Sequence, residues 1–286
     1  MKFIEINKSF DMKYILRYLA QLTLWRFEPK IIALTGSAGK IRIIEAIEAV
    51  LSHPNERGTK SRIRISKGEL DSEFRIILTI IGDFKNEDLN LLIQGRLAGF
   101  QKIKRAIFLT KAVFFSILKL ARFKQNDYPE ILVLEYEPSR SGAVKELLEI
   151  VRPFIGIVIA TEEIPVRIES WSSPDMIFKE RAKMIERLPA NGFAILNFDN
   201  GSVLKLKERT RAKVVTFGFN DGADLRITNF SNGASLKLSY GGSVVPIVMK
   251  NISDKVDAYS FAAAACVGLI FDLNLVEISE ALQGSN

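Results

Sequence analysis

Along most of this chain, short apolar runs alternate with stretches whose apolar residues recur every three or four positions. The first such stretch, 10–26, carries Ile15, Leu16, Leu19, Leu22 and Trp25 at helical spacing and is closed off by Pro29. "IIALTG" (31–36) then reads as a buried strand, and "IRIIEAIEAVLS" (41–52) as a helix with Ile44, Ile47 and Leu51 on one face. "RGTKSRIRIS" (57–66) is polar and basic, a loop and a strand. "FRIILTIIGD" (74–83), another apolar run, takes its place among the strands, and 88–123 forms a helical block. "EILVLEYEP" (130–138), "IGIVIAT" (155–161), "GFAILNFD" (192–199) and "AKVVTFGF" (212–219) complete the apolar strands. The helices "GAVKELLEIVRP" (142–153) and "PDMIFKERAKMIERLP" (174–189) fall between them.

Apolar strands separated by helices predict an α/β protein, a mainly parallel sheet with helices on both faces. From about Asp224 the pattern changes. "LRITNFSNGASLKLSYGGSVVPIVM" alternates polar with apolar and is broken by Asn-Gly and Gly-Gly, so a small antiparallel section of hairpins is expected near 224–250. Two helices, "DAYSFAAAACVGLIF" and "LVEISEAL", close the chain, and the last four residues are expected to be loose.

Composition narrows the function classes. The chain has 286 residues, 48% of them hydrophobic, enough for one large core or two modest ones. A net charge of +7 favours anionic partners without choosing among nucleotides, nucleic acid and lipid. The basic residues are spread through helices and loops with no RNA or DNA motif, so nucleic acid is not an expected partner. The single cysteine, Cys266, excludes an intrachain disulfide framework and suits a reducing compartment. The single histidine, His53, sits in a "HPN" turn and argues against a His-based triad or a multi-histidine zinc site. No signal peptide is legible. "AIFLTKAVFFSILKLARF" (106–123) is interrupted by Lys111 and Lys119 and is not expected to span a membrane. It reads either as an amphipathic helix on the core or, with the basic residues that flank it over 100–124, as a helix lying on an anionic membrane surface.

Two features carry candidate chemistry. Thr35, Gly36, Ser37, Ala38, Gly39 and Lys40 connect the first strand to its helix. Backbone N–H groups at such a turn, with the positive end of the helix, can hold a phosphate, and Lys40 can reach the outer ones. Glu135 directly follows "ILVL", at the carboxyl end of a strand, where parallel sheets bind ligands. Its carboxylate is a hard oxygen ligand of the kind Mg²⁺ prefers.

These residues, with "ILVLEYEPSRSGAVKELLEIVRP", "ERAKMIERLPANGFAILNFDN" and "AYSFAAAACVGLIFDLNLVEISEAL" in that order, resemble the central ATP-binding domain of the Mur ligases. The subtype they are most similar to is the UDP-N-acetylmuramoyl-tripeptide–D-alanyl-D-alanine ligase. The resemblance runs from about Pro29 to Leu282 and implies a P-loop-type α/β domain at 29–286 behind an N-terminal helical extension, 1–28. It also implies a cytoplasmic role in peptidoglycan precursor synthesis. In that family ATP phosphorylates a carboxylate, and an amine attacks the acyl phosphate. ATP and Mg²⁺ are the implied cofactors. Glu135 is the implied metal ligand, and Asn197 and Asp199 are candidates for the nucleoside side.

The chain departs from that pattern at several positions. Ile41 stands where the family places the Mg²⁺-binding threonine, Arg167 where it places a metal-binding histidine, and Arg181 where it places a carbamylated lysine. Asp257 and Ser260 fall where its nucleotide-contacting His-Asn-x-x-Asn would lie. An apolar side chain and two fixed cations are poor company for Mg²⁺. The span before the first strand is too short for an ordinary UDP-sugar domain, and the chain stops where a third domain would begin. The expectation is therefore a degenerate ATP-binding module, inactive alone, that binds nucleotide weakly or without metal. The alternatives are a non-catalytic scaffold or regulator of cell-wall enzymes and one part of a split ligase whose second chain supplies the missing domains.

Overall fold

The computed structural model describes residues 12–36, 39–54, 58, 60–66, 72–93, 100–122, 124, 127–159, 174–231, 235–248 and 254–284. Ser37, Ala38 and Arg167 lie outside them. The chain divides into two compact units, Met1–Glu28 with Lys67–Tyr128, and Pro29–Ser66 with Pro129–Asn286.

The first unit is helical. It contains α1 (Met12–Phe27), α3 (Ser72–Ile81), α4 (Asn86–Ile93) and α5 (Phe100–Arg122). Helix α1 buries Leu16, Leu19, Ala20 and Thr23 and packs on α3 and α5. Phe27 stacks on Tyr128 at 4.5 Å, and the Tyr128 hydroxyl donates to the Ile80 carbonyl at 2.6 Å. The run "FRIILTIIGD", expected among the strands, is helix α3 instead. Every residue from Arg75 to Ile81 is buried, so no polar face interrupts the run to reveal its period. A helix apolar on all sides and a buried strand look alike in sequence.

The second unit is built on a nine-stranded sheet. Its strands are β1 (Lys30–Gly36), β2 (Ile63–Ile65), β3 (Ile131–Glu135), β4 (Ile155–Ile159), β5 (Phe193–Asn197), β6 (Lys213–Gly218), β7 (Leu225–Ser231), β8 (Ser235–Tyr240) and β9 (Ser243–Val248). Their spatial order is β2-β3-β1-β4-β5-β6-β7-β8-β9. Pairings from β2 through β7 are parallel, and β7-β8-β9 are antiparallel. The mainly parallel α/β architecture and the closing hairpins are as the sequence predicts.

Helices α2 (Lys40–Ser52), α9 (Lys255–Ile270) and α10 (Leu275–Gly284) share a core with one face of the sheet, through Ile32, Leu34, Val133, Ile157 and Ile195. The run Ala262–Ala265 is fully buried, and these short side chains let α9 lie close to its neighbours. A Cβ at Gly268 would meet Val50 and Ile278 at 2.8 Å. Helices α6 (Ala143–Ile150) and α7 (Pro174–Glu186) pack on each other, and α7 meets β4. There Gly156 leaves room for Ile185 and Leu188 of the α7 region. A four-residue turn of helix, α8 (Gly201–Leu204), follows β5. Each fully buried Ile or Leu contributes about 1.5–3 kcal/mol relative to exposure.

Candidate functional site: a cation and carboxylate cluster at the end of the sheet

The carboxyl ends of β1 and β3 lie side by side, Leu34 opposite Glu135. The chain leaves β1 through Gly36 and Gly39 into α2. Gly36 is required by closeness, since a Cβ there would sit 2.2 Å from the Ile159 carbonyl oxygen of β4. Gly39 is required by conformation. Its φ of 76° is left-handed, and a Cβ would press on Val256 at 2.8 Å and Ser260 at 2.9 Å. The α9 N-terminus therefore closes one side of the turn. Helix α2 begins with no side-chain cap and no acidic residue in its first turn. Its first N–H groups and positive dipole end are left for an anion.

Lys40, the first residue of α2, places Nζ 2.8 Å from Glu135 Oε1 and against Glu137 Oε2. Arg181 reaches in from α7, with Nη2 3.1 Å from the Gly36 carbonyl and 3.1 Å from Glu137 Oε1. Glu137 thus takes both cations at once. Arg181 is 7% exposed and Thr35 1%, and Arg181 Nε and Thr35 Oγ1 have no hydrogen-bond partner among the described residues. Buried donors left in this state are costly unless something else satisfies them. Lys183, two residues on, faces another way and pairs with Glu180 at 2.5 Å.

The site brings together Thr35, Gly36, Gly39, Lys40, Glu135 and Arg181. Of the substituted positions, Ile41 is 74% exposed and offers no oxygen near the cluster. Asp257 is buried and lies 3.5 Å from Arg42 Nε. Ser260 donates to the Val256 carbonyl at 2.8 Å and lies at 3.5 Å from the Gly39 carbonyl. Asn197 and Asp199 sit elsewhere, Asn197 as the last residue of β5 and Asp199 two residues on. The Asn197 side-chain oxygen accepts from Asp199 N at 2.9 Å. The Asp199 carboxylate accepts from Phe219 N (2.6 Å), Asn220 N (3.1 Å), Asn220 Nδ2 (2.6 Å) and the Tyr259 hydroxyl (2.9 Å). Burial, and then that bond to Asp199, push the Tyr259 phenol well above its ordinary range.

Glu137 was not among the expected site residues. Its signal lies in "LEYEP": a strand alternates its faces, so Glu135 and Glu137 share a side and Tyr136 takes the other. Tyr136 is indeed fully buried and donates to the Val151 carbonyl at 2.7 Å.

This donor set fits a chain of phosphates. An uncapped helix, a glycine turn, Lys40 and Arg181 all favour negative charge. It does not fit a divalent cation. Glu135 and Glu137 are already neutralised by Lys40 and Arg181, and no three potential metal ligands converge among the described residues.

Comparisons with known proteins agree with the fold. The Mur ligase middle domain matches residues 113–267, just over half of the chain. The UDP-N-acetylmuramate–L-alanine ligase of Hydrogenovibrio crunogenus is 30% identical over 105 residues, covering 36% of this chain and 23% of that ligase. The ligase of the same name from Paracoccus denitrificans is 35% identical over 82 residues, covering 28% of this chain and 17% of its own length. Among solved structures, MurF of Acinetobacter baumannii superposes with a TM-score of 0.68 at 16% identity, over 96% of this chain and 50% of that one. MurF ligase of Thermotoga maritima in complex with ADP gives 0.67 at 18% identity, over 93% and 52%. The chain thus spans about half the length of the solved MurF chains it matches.

Proposed function

Since the chain belongs to the Mur ligase middle-domain family, we propose that it is a nucleotide-binding module related to ATP-dependent carboxylate–amine ligation in peptidoglycan precursor synthesis. In this reading the site binds the phosphates of ATP with the protein's own cations and does not turn over alone. The observation that carries it is the convergence of Lys40 and Arg181 on one carboxylate beside the uncapped start of α2.

On this reading each residue has a role. The connection from Thr35 to Lys40 is where the phosphates bind, received by the backbone N–H groups at the start of α2. Lys40 and Arg181 neutralise their charge, Lys40 as a point charge and Arg181 as a planar fork. Glu137 pairs with both cations and gives them up when phosphate arrives. Glu135 is the one expected metal ligand at the site, and with Lys40 at 2.8 Å it positions that lysine instead. Asn197 and Asp199 act on the nucleoside side only by holding the ends of β5, β6 and α9 in register. Titration of ATP into the wild type and Lys40→Ala tests the reading. Binding should weaken by about thirtyfold, some 2 kcal/mol, for a lost charge-assisted phosphate contact.

Catalysis is the finer question. Ile41 and Arg181 favour a pseudoenzyme that serves as scaffold or regulator of cell-wall enzymes at a cytoplasmic site. The competing reading is one part of a split ligase, with a second chain completing the active site. Mixing the purified chain with a UDP-muramyl tripeptide, D-alanyl-D-alanine and Mg²⁺–ATP should give no condensation. Product formed by this chain alone would overturn the non-catalytic reading. Product formed only with a second cell-wall protein would support the split one.

A further inference from the structure

Helix α5 has two apolar faces, and packing within its own unit explains only one. Phe108, Leu109, Ala112 and Ser116 are buried. On the opposite side Ile103, Ile107, Thr110, Phe114, Ile117 and Ala121 are all exposed, at successive spacings of four, three, four, three and four. That spacing draws one straight stripe along the helix. Its four large members are each about half exposed or more, from Ile107 at 49% to Phe114 at 57%. A surface helix of a soluble domain normally turns charge to the water at these positions.

The charges stand at the borders instead. With 100° per residue, Lys104, Lys111 and Arg122 fall along one edge of the stripe and Lys102 along the other, and all four are exposed. Residues 100–124 contain seven Lys or Arg and no Asp or Glu. Helix α1, which packs on α5, turns Tyr14, Tyr18 and Trp25 outward on a stripe of its own, at 71%, 61% and 76% exposure. Tyr and Trp are the residues that favour the boundary between water and lipid.

We propose that the outward stripe of α5 lies flat on an anionic phospholipid bilayer, with Ile103, Ile107, Phe114 and Ile117 in the acyl boundary and the flanking lysines among the headgroups. The partner follows from the charge pattern. An apolar stripe between basic edges, without one acidic residue, matches an anionic lipid surface. It opposes a second copy of itself, because the basic edges would meet. No described helix is long and apolar enough to cross a membrane, so α5 lies on the surface. The inference concerns the helical unit alone and does not depend on nucleotide binding.

The test is co-sedimentation of the full chain with vesicles of phosphatidylglycerol and of phosphatidylcholine, at low and high salt. The double variant Phe114→Asp/Ile117→Asp and the charge reversal Lys102→Glu/Lys111→Glu are compared with wild type. All four positions are exposed, and unchanged far-ultraviolet circular dichroism confirms that the variants fold. Wild type should pellet with phosphatidylglycerol, remain soluble with phosphatidylcholine, and release as salt rises. Each variant should lose at least about tenfold in affinity, the first through lost apolar burial and the second through lost attraction to the headgroups. Failure of wild type to pellet with phosphatidylglycerol would overturn the proposal. So would pelleting that Phe114→Asp/Ile117→Asp leaves unchanged, which would mean adsorption by charge alone. So would a wild-type dimer in light scattering that the same variant dissolves, which would give the stripe to a second copy.

Discussion

Two carboxylates at the ends of one sheet are held in opposite ways. Asp199, after β5, is saturated by two backbone N–H groups, an amide and a phenol. Glu137, after β3, is held by the movable side chains of Lys40 and Arg181. Asp199's donors belong largely to the backbone between β6 and β7 and cannot be handed to a ligand without unmaking that turn. Glu137's donors sit on a lysine stem and a guanidinium, beside a helix start that itself lacks an anion. The first arrangement is a structural joint. On the reading proposed above, the second exchanges one anion for another, which is what a phosphate site needs to do.

Breaking the joint should have the largest effect. Asp199→Ala strands donors from Phe219, Asn220 and Tyr259 and should cost about 2–4 kcal/mol of unfolding free energy in denaturant titration. Next comes Lys40→Ala, the thirtyfold loss of ATP affinity given above, with stability within about 0.5 kcal/mol of wild type. If it unfolds the protein instead, Lys40 belongs to the joint class and the contrast fails.

Glu137→Gln should do the reverse of Lys40→Ala. It removes the resident negative charge while keeping the side chain's shape. ATP affinity should rise about fivefold, a modest gain because Glu137 is one-third exposed and partly screened. Weaker binding would mean that Glu137 positions Lys40 and Arg181 rather than competing for them.

The smallest effect is a pH slope. The Tyr259 phenol is held above its ordinary value, and burial does the same to Tyr136. A raised phenol pKa means that the folded chain keeps protons the unfolded chain has lost. Stability from these groups is therefore complete below about pH 10 and falls as pH rises beyond it. Tyr259→Phe should flatten that alkaline slope and cost about 1 kcal/mol at neutral pH. An unchanged slope would take Tyr259 out of the joint.

Much of this was legible beforehand, and the misses have physical causes. The strands β1, β3, β4, β5 and β6 could be read because a parallel sheet covered on both faces demands continuous apolar runs. Helix α3 could not, because its burial on every side erases the period that distinguishes a helix. Lys40 and Glu135 were legible from their places at a helix start and a strand end. Glu137 was one alternation away. Arg181 was expected as a substitution that adds a fixed positive charge to the site, but its reach to the Gly36 carbonyl crosses 145 positions that no local pattern can bridge. The bond that ties Asp199 to Tyr259 spans 60 positions and depends on how α9 meets β6, so no local pattern shows it.

On the proposed reading, Lys40 and Arg181 do for phosphate what Mg²⁺ would otherwise do. The most direct measurement is calorimetric titration of ATP into the wild-type chain, first with Mg²⁺ and then with EDTA. Binding is expected in both, with affinities within about threefold of each other, a difference below 1 kcal/mol. Binding that appears only with Mg²⁺ would contradict that reading.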